Sequence, residues 1–323
     1  MKNILDIGSR HWKGEMKLPW GLAESLSRLV TQLELAKPAT LPNLRLGRTL
    51  LLTCDFSGQH AGASYESFSF LLADLDECGP WNGLRAEVRR RILTDRRRMS
   101  FKGMNDYRRR RALLPFLRAA NVIPGLTFTV ALKKGLGVPP ELAAAEGACL
   151  PQPFNSWSSA TLRKLVLVSH LGALLVGGLS AKGQDLWWII DEDDIAANEQ
   201  RIRDVTSLVA RITSAYLGHE MGKLTFGTTA CDNGDLFIED MAAISDLVAG
   251  AVSEVAGLDI TRRISKVRIP LRGHVSRKTL NILGWLGNEV LTPLRKLAFL
   301  VDRGDAEGRI RIRGMDLSVE NSS

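Results

Sequence analysis

The stretch TLLLTCDFSG, residues 49–58, runs from apolar residues into an acid and then a turn. Leu50, Leu51 and Leu52 lead to Asp55, and Ser57 and Gly58 follow. A continuous apolar run closed by a turn signal predicts a buried strand. Asp55 then stands where that strand leaves the core. A carboxylate there is costly unless it is paired or holds a cation. The simpler alternative is an Asp that only caps the turn after the strand.

The elements on either side make this strand one of several. Upstream, residues 20–35 carry Leu22, Leu26, Leu29 and Val30 at helical spacing, and KPATLPNL breaks the pattern. Residues 1–47 therefore read as an N-terminal arm packed on the main domain. Downstream, YESFSFLLADL, residues 65–75, predicts a strand paired with the first. Pro80 and Gly83 introduce a helix over 84–93, and Asp106 caps a second helix reaching 121, with Leu113, Leu114 and Leu117 inward. LTFTVAL, residues 126–132, predicts another strand, and the Gly/Pro-rich 133–156 a loop or lid. A buried helix over 161–175 follows, then a strand at LWWII, residues 186–190. Next come a long helix over 195–217, a short strand over 223–226 and a helix over 236–255. Beyond it the chain is basic, with two short elements at 282–286 and 294–301. Strands alternating with helices indicate an α/β domain over 48–258, followed by a basic C-terminal extension over 259–323.

The 323 residues are 45% hydrophobic and 24% charged, which is the balance of a globular chain. The net charge is +8 and it is concentrated. Residues 85–118 hold thirteen bases against only Glu87, Asp95 and Asp106. Such a cluster suits a polyanion, although solvated helix faces give the same pattern. If six phosphates were gripped, log affinity would fall with log salt at a slope of roughly −5. The four cysteines form no CxxC pair, which argues against a zinc ribbon and a disulfide framework. GxxxxGK[ST], GxSxG and HExxH are all absent, which weighs against P-loop, serine-hydrolase and zinc-protease chemistry. The N-terminus lacks a signal-peptide core, and the apolar run 165–179 is short for a membrane span. A soluble cytoplasmic protein with no membrane partner is the expectation.

Two further acids occupy positions like that of Asp55. Asp191 follows LWWII directly, with Glu192, Asp193 and Asp194 behind it. Ligands of open α/β sheets gather at the carboxyl ends of strands. A helix N-terminus also attracts acids, and that accounts for Asp193 and Asp194. Asp246 lies in IEDMAAISDLVAGAV beside Ile244, Leu247, Val248 and Val252, at the margin of an apolar helical face. An exposed, inert Asp is the alternative there. An acid after one strand, an acid after a later strand and an acid on a late helix form a donor set for Mg²⁺ or Mn²⁺, which prefer oxygen ligands. Two such ions about 4 Å apart activate a water and stabilise a leaving oxygen in phosphodiester cleavage.

DFSG at 55–58, WIIDE at 188–192 and ISDLVAG at 244–250 resemble motifs of the bacterial domain-of-unknown-function 3800 family. The resemblance covers roughly residues 48–256. It implies an RNase H-like mixed sheet flanked by helices, with Asp55, Asp191 and Asp246 as metal ligands. Phe56 departs from the family's Glu, and Ser100 departs from an acid in its central segment. One carboxylate of a four-acid centre is therefore missing or supplied elsewhere, and Asp106, Glu192 and Asp194 are the substitutes. Lys102 is a candidate phosphate contact, with membership of the basic surface as the alternative. Arg97, Arg98, Arg108, Arg109 and Arg110 are the candidate nucleic-acid grips beside Lys102 and the basic 262–278 segment. His60 is a candidate proton shuttle or a loop histidine, and His170 a core histidine.

The leading expectation is a Mg²⁺- or Mn²⁺-dependent nuclease acting on DNA or RNA. By family analogy it would serve in defence against mobile DNA. The alternatives are an inactive RNase H-like module that binds nucleic acid or a protein, and an enzyme for a small phosphorylated substrate. A protein partner or a second copy of the chain is a further expectation.

Overall fold

Leu50–Leu52 form the buried middle of β1 (Thr49–Ser57). In this computed structural model the described residues are 10–14, 17–136, 138–139, 142, 154, 157–192, 194–258, 261–262, 266–268, 275–288, 290–304 and 309–317. β2 (Tyr65–Asp74) pairs antiparallel with β1, and Asp55 lies opposite Ser69. β3 (Gly125–Lys133) pairs antiparallel with β2. β4 (Asp185–Ile190) runs parallel to the other edge of β1, and β5 (Leu224–Thr228) parallel to β4. β6 (Thr261–Arg262), β7 (Lys266–Arg268), β8 (Leu294–Arg303) and β9 (Ile310–Asp316) complete one nine-stranded mixed sheet of order β5-β4-β1-β2-β3-β8-β9-β7-β6.

Side-chain alternation along each strand sends residues to two layers. Leu50, Leu52 and Cys54 enter a core covered by α1 (Gly21–Ala36), α4 (Ser159–Leu179) and α5 (Glu199–Tyr216). Leu51 enters the opposite core, beneath α2 (Gly79–Arg91), α3 (Tyr107–Ala120), α6 (Phe237–Ala256) and α7 (Arg277–Leu286). Each buried Leu or Val in these layers stabilises the fold by about 1.5–3 kcal/mol. Asp55 shares the parity of Leu51 and so belongs to the α6 face. Helix α4 is apolar enough and, at 21 residues, long enough to cross a membrane, but 89% of its apolar window is buried in the molecule. His170 on α4 is buried against Tyr216 and Trp20, as expected of a core histidine.

The N-terminal segment packs through α1 against α4. Glu34 accepts the amides of His11 and Trp12, and the Trp12 indole donates to Ser27 Oγ at 3.0 Å.

Three expectations change. Leu114 is 38% exposed, because α3 buries Leu113, Phe116 and Leu117 instead. The long helix begins at Glu199 and not at 195, since Asn198 caps it by accepting the Arg201 amide. The described part of 259–323 joins the main sheet: β8 pairs parallel with β3, and α7 packs on α6 and α3. Most of the expected lid at 133–156 and most of the basic 262–278 segment lie outside the described residues.

Candidate functional site

The parallel register Cys54↔Ile190 sets Asp55 and Asp191 at neighbouring strand ends. Helix α6 crosses the same place. Ser245 Oγ lies 3.2 Å from Thr53 Oγ1 and donates to the Thr53 carbonyl at 3.4 Å, which fastens the helix to β1. Asp246 follows directly and meets Asp55. The two carboxyls come within reach of one another, and the charge of Asp246 opposes ionisation of Asp55.

These acids line one cavity of about 560 Å³ together with Glu192, Glu239, Arg98, Ser100, Lys102, Thr229 and His60. Burial, the charge and hydrogen bond of Asp246, and the charge of Asp191 hold Asp55 well above the usual carboxylate range. Burial also raises Asp246, against the hydrogen bonds it accepts from Asp55 and from the Phe101 amide at 2.5 Å. Asp191 accepts from Arg98 at 2.8 Å, Thr229 Oγ1 at 3.2 Å and the Glu192 amide at 2.9 Å.

Glu239 is the fourth acid on this wall, and reading the sequence alone missed it. It lies seven residues before Asp246, two helical turns along the same face. That spacing was the available signal. Its carboxylate is 3.7 Å from Arg98, and burial raises it above its ordinary range, helped by the charges of Asp191 and Asp232. Asp232 fixes the start of α6 by accepting four amides, those of Gly234, Leu236, Ile238 and Glu239. Burial pushes the Asp232 carboxyl up, but these donors outweigh it and the net shift is downward.

The substitutes proposed for the fourth acid fare differently. Glu192 is exposed at the mouth. Asp106 caps α3 by accepting the Arg109 amide, and Asp194 is exposed on the following turn; neither lines the cavity. Phe56 has the opposite strand parity from Asp55 and packs on the α4 face, with Lys164 Nζ 4.3 Å from its ring centre.

The loop over 92–106 closes one side of the cavity. Gly250 permits its approach, because a Cβ there would clash with the Phe101 ring. Lys278 Nζ sits 3.8 Å from the centre of that ring and donates to the Phe101 carbonyl. Lys102 is exposed and faces the cavity. Arg97 and Arg108 are exposed, 3.8 and 4.0 Å from Asp95, and Arg110 is exposed on α3. Arg109 braces the loop, since its Nε donates to the Arg98 carbonyl at 2.9 Å. Arg85 and Arg89 leave the basic surface altogether, since both bind Asp240, which is fully buried.

Among the described residues no group of three His, Cys, Asp or Glu already stands in metal-ligating arrangement. Asp191 is turned to Arg98 and Asp246 to the Phe101 amide. The donor chemistry nevertheless suits a hard cation. Every candidate ligand is a carboxylate oxygen, and a divalent ion offsets the negative charges that Asp55 and Asp246 bring together. The chain matches no known protein-family model and no curated protein.

Proposed function

We propose that the chain is a divalent-metal-dependent hydrolase of phosphodiester bonds in DNA or RNA, built on an RNase H-like sheet of the domain-of-unknown-function 3800 kind. The observation that carries this reading is the convergence of Asp55 from β1, Asp191 from the end of β4 and Asp246 from α6 on one cavity. The strand order β5-β4-β1-β2-β3, antiparallel from β1 to β3 and parallel from β1 to β5, supports the fold assignment.

In this reading Asp55 and Asp246 would hold Mg²⁺ or Mn²⁺, with Asp191 and Glu239 as the further oxygen donors. When bound, such an ion would supply an activated water and charge stabilisation at the leaving oxygen. Asp55 and Asp246 set the position of the reaction because β1 and α6 fix them. Lys102 holds a phosphate oxygen as a point charge. Arg97, Arg108 and Arg110 carry the flanking backbone.

The test is cleavage of labelled DNA and RNA with Mg²⁺ or Mn²⁺ by the wild type, Asp55→Asn and Asp246→Asn. Each substitution is expected to lower the rate by at least roughly 100-fold, the scale of the several kcal/mol an ion supplies. Equal cleavage by all three proteins removes the mechanism.

A second reading is a binding module without catalysis. Arg98 standing among the acids favours it, as does the hydroxyl of Ser100 in place of a carboxylate. Nucleic-acid binding with no cleavage under any metal is its signature.

A further inference from the structure

The run Arg96-Arg97-Arg98 looks uniform in sequence, yet its three side chains go to three places. Arg96, at φ 58, donates to the Gly234 carbonyl at 2.5 Å. Arg97 points to solvent beside Asp95. Arg98 turns into the acid cluster, 2.8 Å from Asp191 and 3.7 Å from Glu239. Among the described residues it is the cation paired with the cavity's carboxylates.

We infer that Arg98 is the resident counter-ion of this cluster and that a divalent cation entering the site must displace its guanidinium. The inference rests on the metal-site reading above and adds a gate to it. The geometry carries it in two steps. First, Asp191 and Glu239 cannot offer their oxygens fully to an ion while Arg98 holds them, and a guanidinium at that spot repels an incoming dication. Second, the exchange needs only a side-chain rotation. The backbone beneath Arg98 is anchored by Arg96 on Gly234, by Arg109 on the Arg98 carbonyl and by the Phe101 amide on Asp246. The Arg98 side chain itself is 48% exposed, so water receives it when it swings away. The Arg85–Arg89–Asp240 cluster makes the contrast: there Asp240 is fully buried and no such exit exists.

The experiment is calorimetric titration of the full chain with Mn²⁺ alone. Arg98→Gln is expected to bind roughly tenfold or more tightly than the wild type, the scale of removing one like charge a few ångströms away. Arg98→Lys keeps the charge and is expected to bind as the wild type does. Asp55→Asn introduced into Arg98→Gln is expected to abolish the gain, which places the ion in this cavity. A larger upward shift in melting temperature on adding Mn²⁺ to Arg98→Gln is the second readout. Equal Mn²⁺ affinity in wild type and Arg98→Gln, with binding still dependent on Asp55, overturns the gate and leaves the metal site standing. A lysine variant that binds as tightly as the glutamine variant also overturns it, because loosened packing then explains the gain. Absence of Mn²⁺ binding in every variant overturns both the gate and the metal-site reading.

Discussion

Burial and the neighbouring acids raise the Asp55 carboxyl above its ordinary range, and that has a measurable consequence for stability. Its folded pKa is raised by burial, then by Asp246 and Asp191. A carboxyl raised on folding stabilises the protein fully below its unfolded pKa, and that contribution is lost as pH rises through the folded value. At neutral pH without metal, the native state therefore carries a penalty at this residue. Asp55→Asn removes it and is expected to stabilise the metal-free protein at pH 7 by about 1 kcal/mol, as removals of strained site residues often do. Near pH 3 the wild-type carboxyl is protonated in the folded and the unfolded state alike, and the gain should vanish. Urea midpoints measured with chelator across this range decide it; a variant no more stable at pH 7, or equally stabilised at both ends, sinks the account. The three aspartates were legible in sequence because each breaks an apolar pattern at a strand end or helix margin. Glu239 was not. It stands in the first turn of α6, where an acid already has a reason to be, since it complements the helix dipole.

At the scale of elements, α6 carries two of the cavity's acids and is clamped at its start. Asp240, fully buried, accepts from Arg85 at 3.2 Å and from Arg89 at 2.5 and 2.6 Å, which ties α2 to α6. Burial raises the Asp240 carboxyl, and the two guanidinium groups oppose that rise. Removing one member of a buried ion cluster leaves uncompensated charge and costs about 3–5 kcal/mol. Asp240→Ala is expected to lose stability on that scale, while Arg90→Ala, whose partner is Glu87 on the same exposed helix face, should leave the midpoint unchanged. Similar midpoints for the two variants in guanidinium unfolding would contradict the clamp. The arginines of α2 read as one basic surface in sequence because charge counting ignores direction. Their spacing held the finer message: Trp81, Arg85 and Arg89 recur every four residues on the inward face, Trp81 against Phe116 of α3 and the two arginines on Asp240 of α6.

For the whole molecule, the central strands and the α/β alternation were readable, since each strand announces itself by a short apolar run. The far half of the sheet was not. The pairing of β3 with β8 joins segments far apart in the chain, and in a parallel pair no turn signal marks the partner. The same three-dimensional sorting revises the expected grip on nucleic acid. Arg85 and Arg89 are consumed by Asp240, Arg109 by the Arg98 carbonyl and Arg98 by Asp191. The exposed cations left beside the cavity and on α3 include Arg97, Lys102, Arg108 and Arg110. Four phosphates neutralised imply a slope of log affinity on log salt of roughly −3 for single strands and −3.5 for duplex DNA, shallower than the −5 of six. Binding of labelled DNA, followed by anisotropy over a salt series with chelator present, measures this slope directly. A value near −5 would return the arginines now assigned to internal work to the interface, and a flat line would remove nucleic acid as the partner. Replacing Arg108 and Arg110 with Gln should make the slope shallower by about 1.5 to 2, because a phosphate no longer neutralised by arginine keeps its condensed counterion in the complex.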